Sequence, residues 1–283
     1  MQQFIFKAKQ TLEEIYSKNE SNAIVSILLE HIGISRTMRF TNPRLILDSK
    51  QANWLNSSLS KLAEYTPVQY IIGSVDFYGT KISVDKHTLI PRPETEELVD
   101  IIVKRFSSVR RLNVLDLCTG SGCIAIALAK KLHDANIEAV DLSDGALSMA
   151  RKNAEQNSAS VHFRKMDLLN VDISDFGSSK YDIIVSNPPY IPEEYKPLLD
   201  KNVTLYEPGM ALFVPNDEPL IFYEKIAQLA PCLLSEKGML FFETHEQYAD
   251  DVAKLLNASA KLWTDVRNDI FDKKRFTISH YKC

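Results

Sequence analysis

The run Tyr181-Asp-Ile-Ile-Val-Ser186 reads as a buried strand, and it ends in Asn187-Pro188-Pro189-Tyr190, a tetrapeptide suited to planar nitrogen chemistry. Two prolines fix φ and withhold two N–H donors, so the backbone carbonyls at this turn are left as acceptors. The side-chain oxygen of Asn187 adds another. Together the Asn187 oxygen and the Pro188 carbonyl can hold both hydrogens of a substrate NH2 and aim its nitrogen at an electrophilic methyl group. Pro189 completes the turn, and the face of Tyr190 can stack on a flat amide or base and stabilise positive charge as the nitrogen is alkylated. Asn187, Pro188 and Tyr190 are the candidate catalytic residues; with Pro189 they form the candidate substrate contact. An amide nitrogen is a poor nucleophile because its lone pair is delocalised, so positioning must supply most of the acceleration and no strong general base is expected. A plain proline-rich turn explains the prolines but not the Asn and Tyr at its flanks.

A second constellation lies upstream, where strand Asn113–Leu117 runs into Asp116-Leu-Cys-Thr-Gly120-Ser-Gly122-Cys-Ile-Ala125 and Ile126–Leu132 reads as a helix. Strand, glycine turn and helix make a nucleotide-type site: Gly120 and Gly122 allow positive φ and close backbone approach, while Ala125 permits tight helix packing. Asp141, ending the next strand, is in place to accept hydrogen bonds from ribose hydroxyls. Gly-x-Gly-x-x-Ala with such an aspartate fits NAD as well as S-adenosyl-L-methionine. Asp116 favours the second, because a carboxylate four residues before the first loop glycine crowds a pyrophosphate but suits a cofactor with an ammonium and no phosphate. Asp167 and Leu168, after the third strand, are placed to meet the adenine amino group and ring. The candidate cofactor set is therefore Asp116, Cys118, Thr119, Gly120, Ser121, Gly122, Asp141, Asp167, Leu168 and Asn187, with S-adenosyl-L-homocysteine as the product.

These residues need a framework to bring them together. Short β-branched runs at Asn113–Leu117, Glu138–Asp141, Val161–Lys165, Tyr181–Ser186, Met239–Glu243, Lys261–Val266 and Arg275–Tyr281 alternate with helical stretches. Such alternation predicts parallel strands joined by helical crossovers in an α/β doubly wound sheet, with ligands beyond the strands' carboxyl ends. Upstream, a helix is expected to begin after Pro91-Arg-Pro93-Glu-Thr-Glu-Glu97, and Tyr70 to Leu89 reads as a β-hairpin linker around Phe77-Tyr-Gly79. From Phe4 to about Leu62 the pattern is helical, clearest at Ile24, Ile27, Leu28 and Ile32 after the possible cap Ser21. The expected organisation is a helical domain over residues 1–68, a hairpin linker over 69–90 and a catalytic domain over 91–283.

Composition narrows the partners. The 283 residues are 45% hydrophobic and 25% charged, ordinary for a globular protein, with a net charge of −4. That balance lacks the basic footprint of a protein that neutralises many phosphates, so no stable nucleic-acid partner is expected. Residues 1–65 carry eight Lys/Arg and six Asp/Glu, which makes this segment no basic arm either and points to protein contact. Cys118, Cys123, Cys232 and Cys283 contain no C-x-x-C pair, and no His cluster has metal-ligand spacing, so no metal site or disulfide framework is expected and the thiols should be reduced. Neither a signal sequence nor a membrane span is evident, which predicts a soluble cytoplasmic protein with no membrane partner.

With these motifs in view, the chain resembles the class I S-adenosylmethionine methyltransferases, and within them the release-factor glutamine N5-methyltransferases of the PrmC/HemK family. Asp116-x-x-Thr-Gly-Ser-Gly122 resembles the first cofactor motif, Asp141 the acidic ribose residue and Asn187-Pro-Pro-Tyr190 the amino-methylation motif. More specific are Leu89-Ile-Pro-Arg-Pro-Glu-Thr-Glu-Glu-Leu98, Pro67-x-x-Tyr70-x-x-Gly73 with Phe77-x-Gly79, and Tyr206-Glu-Pro208 with Ala211-Leu212. The resemblance implies a helical N-terminal domain that docks a class 1 peptide chain release factor, and a Rossmann-like seven-stranded catalytic domain, with helices on both faces, that receives the glutamine of a Gly-Gly-Gln motif. Three positions depart from the pattern. Cys118 stands where the family often has glycine, Leu168 where some members carry an aromatic, and Phe213-Val-Pro215-Asn-Asp-Glu lacks glycines expected after Leu212.

Competing readings differ in substrate or class. Asn-Pro-Pro-Tyr serves an exocyclic adenine amine equally well after base flipping, but no target-recognition domain or basic-aromatic groove accompanies it. A glutamine methyltransferase acting on a ribosomal protein would share the tetrapeptide, and the Pro91-Arg-Pro93 segment favours the release-factor enzyme over it. A non-catalytic binding module would have no need of intact Asn187 and Tyr190.

Overall fold

The computed structural model describes residues 1–258 and 262–282, so Lys261, the start of one expected strand, and Cys283 lie outside the described residues. The chain divides into two compact units, one made of residues 1–74 with 200–206 and the other of 75–199 with 207–283.

The first unit is helical: α1 (Gln2–Leu12), α2 (Lys18–His31), α3 (Arg36–Thr41), α4 (Ser49–Ala63) and α5 (Val68–Ile72). Local chemistry sets the boundaries. Ser17 caps α2 by accepting the Glu20 N–H, and Asp48 with Gln51 forms a reciprocal capping box on α4. Ser21, read from sequence as the α2 cap, lies buried inside the helix instead, because Ser17 already satisfies the orphan N–H one turn earlier. Leu12, Leu28, Leu29, Leu55 and Leu62 are fully buried where the helices meet.

Tyr70–Ile72 is helical, not strand, because α5 forms on Pro67 and closes on Gly73 at φ 81°. The hairpin is confined to β1 (Ser74–Phe77) and β2 (Thr80–Ser83). Tyr78 and Gly79 both have positive φ, as a two-residue hairpin turn twisted with its strands requires.

Next comes α6 (Pro93–Phe106), which begins within the proline segment rather than after it, since Pro93 at its first position has the φ a helix start wants and no N–H to lose. Then follow β3 (Asn113–Leu117), α7 (Cys123–Lys131), β4 (Asn136–Asp141), α8 (Asp144–Gln156), β5 (His162–Lys165), β6 (Tyr181–Ser186), β7 (Ile191–Pro192) and α9 (Lys201–Tyr206). The last of these belongs to the first unit, where the Tyr206 hydroxyl donates to the Glu64 carbonyl at 2.7 Å. The chain ends with β8 (Phe213–Val214), α10 (Ile221–Leu233), β9 (Leu234–Glu243), α11 (Ala249–Ala258), β10 (Leu262–Asn268) and β11 (Lys274–Tyr281).

Seven strands form one sheet in the order β10-β11-β9-β6-β3-β4-β5, with β11 alone antiparallel to its neighbours. The helices α6, α7 and α8 pack in succession on one another, as do α10 and α11, giving the sheet its two helical layers. The central strands β3 and β6 are buried along almost their whole length, as strands covered on both faces must be, with Asp116 and Ser186 as buried polar exceptions. Register does the rest. Leu117 pairs with both Val140 and Ser186, and Ser186 pairs in turn with Phe242. The next residues along these four chains, Cys118, Asp141, Asn187 and Glu243, are thereby gathered along one edge of the sheet, at the point where strand order reverses about β3.

Candidate active site

A cavity opens at that edge, lined by the loop after β3, the ends of β4 and β6, and the segments around Leu89 and Met210. Of the residues expected from sequence, Cys118, Thr119, Gly120, Ser121, Asp141, Asp167, Leu168, Asn187 and Pro189 line it. Asp116, Gly122, Pro188 and Tyr190 are not among the lining residues, although Pro188 and Tyr190 flank the lining residue Pro189.

Asp116 is fully buried beneath the loop, where Thr119 Oγ1 donates to its Oδ2 at 2.5 Å while Oδ1 has no hydrogen-bond partner. Burial pushes its pKa up to about 7 against the pull of the Thr119 hydroxyl and the Ala125 N–H. Gly122, at φ 80°, starts α7, and a Cβ there would come within 3.1 Å of the Ala150 side chain on α8. It is glycine so that two helices can approach. Cys118 takes φ 61°, the left-handed conformation that glycine adopts freely. Its thiol is pushed far up by burial and by the nearby Asp141 and Asp116 charges, so it is an unreactive wall residue.

The Asp141 carboxylate accepts the Gly120 N–H at 2.8 Å and the Ser143 N–H at 2.9 Å. Those bonds lock the loop to the end of β4 and still leave lone pairs for an incoming hydroxyl. Burial raises the Asp141 pKa, opposed by the backbone N–H groups of Ser143, Gly120 and Leu142. Asp167 accepts from the Leu169 N–H and the Asn170 side chain, which holds its turn against the apolar wall of Val140, Met166 and Leu168. The Asp141 carboxylate at the loop, the apolar slot and the carboxyl of Asp116 buried beneath the loop fit a cationic adenosyl cofactor better than a pyrophosphate, for which the loop offers no anion cradle free of acidic groups.

Beyond Asn187 lies a network that sequence reading missed. Asn187 Nδ2 donates to Thr95 Oγ1 at 3.3 Å, and Thr95 Oγ1 donates to Glu243 Oε2 at 2.7 Å. The Tyr190 hydroxyl reaches Glu243 Oε1 at 3.4 Å. Burial drives the Glu243 carboxyl upward, held back by the Thr95 bond and the Arg275 charge. Burial and the Glu243 charge keep the Tyr190 phenol neutral. Tyr190 also packs edge-on to His245, whose pKa burial and Arg275 lower. Thr95 in a helix's first turn carried no signal; Glu243 did, as the one carboxylate closing the apolar run Met239-Leu-Phe-Phe.

The proline segment also finds its role. Glu207 accepts the Ile90 N–H at 2.9 Å and an Arg92 N–H at 2.5 Å, tying the Leu89–Pro91 wall to the Pro208–Ala211 wall. The stretch after Leu212, where glycines were expected, forms β8, which pairs with β7 directly after Tyr190.

Residues 95–199 match the methyltransferase small domain and residues 3–73 match the PrmC N-terminal domain. A release factor glutamine methyltransferase of Bacteroides thetaiotaomicron is 41% identical over 268 residues, covering 94% of this chain and 95% of the relative. One from Flavobacterium psychrophilum is 40% identical, covering 94% of each. The crystal structure of a methyltransferase from Pyrococcus furiosus shares the fold, with a TM-score of 0.53 at 16% identity over 83% of this chain and 99% of that one. The fold, the edge of the sheet where the motifs converge and the relatives that span nearly its whole length together show that this chain belongs to the release factor glutamine methyltransferase family, S-adenosylmethionine-dependent enzymes.

Proposed function

We propose that the chain methylates the side-chain amide nitrogen, N5, of the glutamine in the Gly-Gly-Gln motif of class 1 peptide chain release factors, in the cytoplasm where these factors act. The observation that supports this most is Asn187 on the wall of the cavity that also holds Asp141, at the end of the central strand β6. S-adenosylmethionine supplies the methyl group as a sulfonium. Asp141 takes the ribose hydroxyls, Met166 and Leu168 cover the adenine, and the Asp116 charge beneath the loop favours a cationic ligand over a phosphate. Asn187 Oδ1 and the Pro188 carbonyl accept the two hydrogens of the glutamine NH2 and hold it in line. Tyr190, a neutral phenol, presents its ring to the amide and to the charge that grows on it. The helical first unit is the docking surface for the rest of the release factor.

The test is Asn187→Ala, which should lower turnover by on the order of 10²–10³, the usual loss for one preorganised polar contact to developing charge. Release-factor binding should change much less. Retention of more than about a third of turnover at saturating substrates would show the turn to be only structural.

A further inference from the structure

We propose that Glu243 is a positioning residue that sets the direction of the Asn187 amide through the Thr95 hydroxyl and holds Tyr190 in the same frame. The inference rests on the reading of Asn187 as the holder of the substrate amide.

A threonine hydroxyl has one hydrogen, and here it is committed to Glu243 Oε2 at 2.7 Å. Thr95 can then offer only lone pairs to Asn187, and only the NH2 end of the asparagine satisfies them. The amide oxygen is thereby turned to the cavity, the orientation in which Asn187 accepts from a substrate NH2. Reversed, the same side chain would present donors to donors. The other oxygen of Glu243 takes the Tyr190 hydroxyl. Both carboxylate oxygens are thus met by donors, the pattern that suits an ionised acceptor. Glu243 is only 2% exposed, so water does not compete for these bonds. No other carboxylate among the described residues bonds both to Thr95 and to Tyr190. Register explains the economy of the arrangement: Ser186 pairs with Phe242, so Asn187 and Glu243 leave neighbouring strands side by side.

Glu243→Gln keeps the shape but gives the site a donor. An amide NH2 at this position can bond the Thr95 oxygen, free the Thr95 hydrogen for Asn187 Oδ1 and turn the Asn187 amide around. Turnover of full-length enzyme on a release factor should fall about 10-fold to 100-fold, with KM for the factor and the Kd of S-adenosylhomocysteine changed less than about threefold. Thr95→Val cuts the relay, so Glu243→Gln added to it should cost little more, whereas Thr95→Ser keeps the hydroxyl and should lose far less than Thr95→Val. Unimpaired S-adenosylhomocysteine binding shows that each variant is folded. Turnover of Glu243→Gln within about threefold of wild type, or losses from Glu243→Gln and Thr95→Val that simply multiply, overturn the inference. If Asn187→Ala is itself silent, the underlying reading of the site fails; if it is severe while Glu243→Gln is silent, only the positioning role does.

Discussion

Asp116 carries one bonded and one unpartnered oxygen in full burial, and its pKa rises from the ordinary 3.8 to about 7. An acid whose pKa is raised by folding binds more protons in the native state, so its contribution to stability is lost as pH climbs from about 4 through 7. Asp116→Asn should therefore raise the melting temperature of the free enzyme at pH 8, by a stability of roughly 2–4 kcal/mol, and much less at pH 5. It should also weaken S-adenosylhomocysteine, since the charge that destabilises the empty loop is the one that favours a cation. Thermal melts at the two pH values decide the first point; a lower melting temperature at pH 8 would contradict it. Asp141→Ala should cost about 1.5–3 kcal/mol of S-adenosylhomocysteine affinity, read by calorimetry, for the loss of a charge-assisted bond. At this scale the cofactor loop and Asn-Pro-Pro-Tyr were legible because their chemistry is confined to contiguous residues. Thr95 was not, and Glu243 showed only as the carboxylate that closes an apolar strand, because what makes the two matter is the approach of α6 and β9 to the end of β6, and spacing along the chain does not encode it.

Glu207 joins two segments more than a hundred residues apart in sequence, 115 between it and Arg92, into the wall over the cavity. Glu207→Ala leaves the Ile90 N–H and Arg92 without their acceptor and should cost about 1–3 kcal/mol of stability, with faster amide exchange at Ile90. Gly122→Ala should be as harmful for a different reason: a left-handed φ of 80° and a Cβ 3.1 Å from Ala150 force α7 and α8 apart, at about 1–3 kcal/mol. A melting temperature unchanged by either substitution would show that its contact is dispensable. All seven main-sheet strands were expected from short β-branched and apolar runs, clearest in the buried centre at β3 and β6, while β9 begins at Leu234, five residues before the expected Met239. Local competition blurred the rest. Gly73 closes a helix where a strand was expected, Pro93 starts one earlier than the acidic run suggested, and β7 with β8 is too short to show a period.

The whole chain keeps its cofactor cavity within residues of one compact unit, while the other has a leucine core of its own. Removing residues 1–68 should accordingly spare S-adenosylhomocysteine binding and abolish transfer to an intact release factor; full-rate transfer by the shortened enzyme would contradict the docking role given to the helical unit. A net charge of −4 agrees with a protein partner and gives no support to a phosphate backbone. That no helix among the described residues is long and apolar enough to cross a membrane is a further property of the fold. The change from helical to alternating pattern suggested segments 1–68, 69–90 and 91–283; the return of Lys201–Tyr206 to the first unit was not visible, because it depends on a long-range pairing of Tyr206 with Glu64. The most direct measurement is peptide mass mapping of a class 1 release factor after incubation with the enzyme and S-adenosylmethionine. One methyl group on the glutamine of Gly-Gly-Gln, absent when Asn187→Ala replaces the enzyme, is the expected result; an unmodified glutamine, or a methyl group on any other residue, would contradict the assignment.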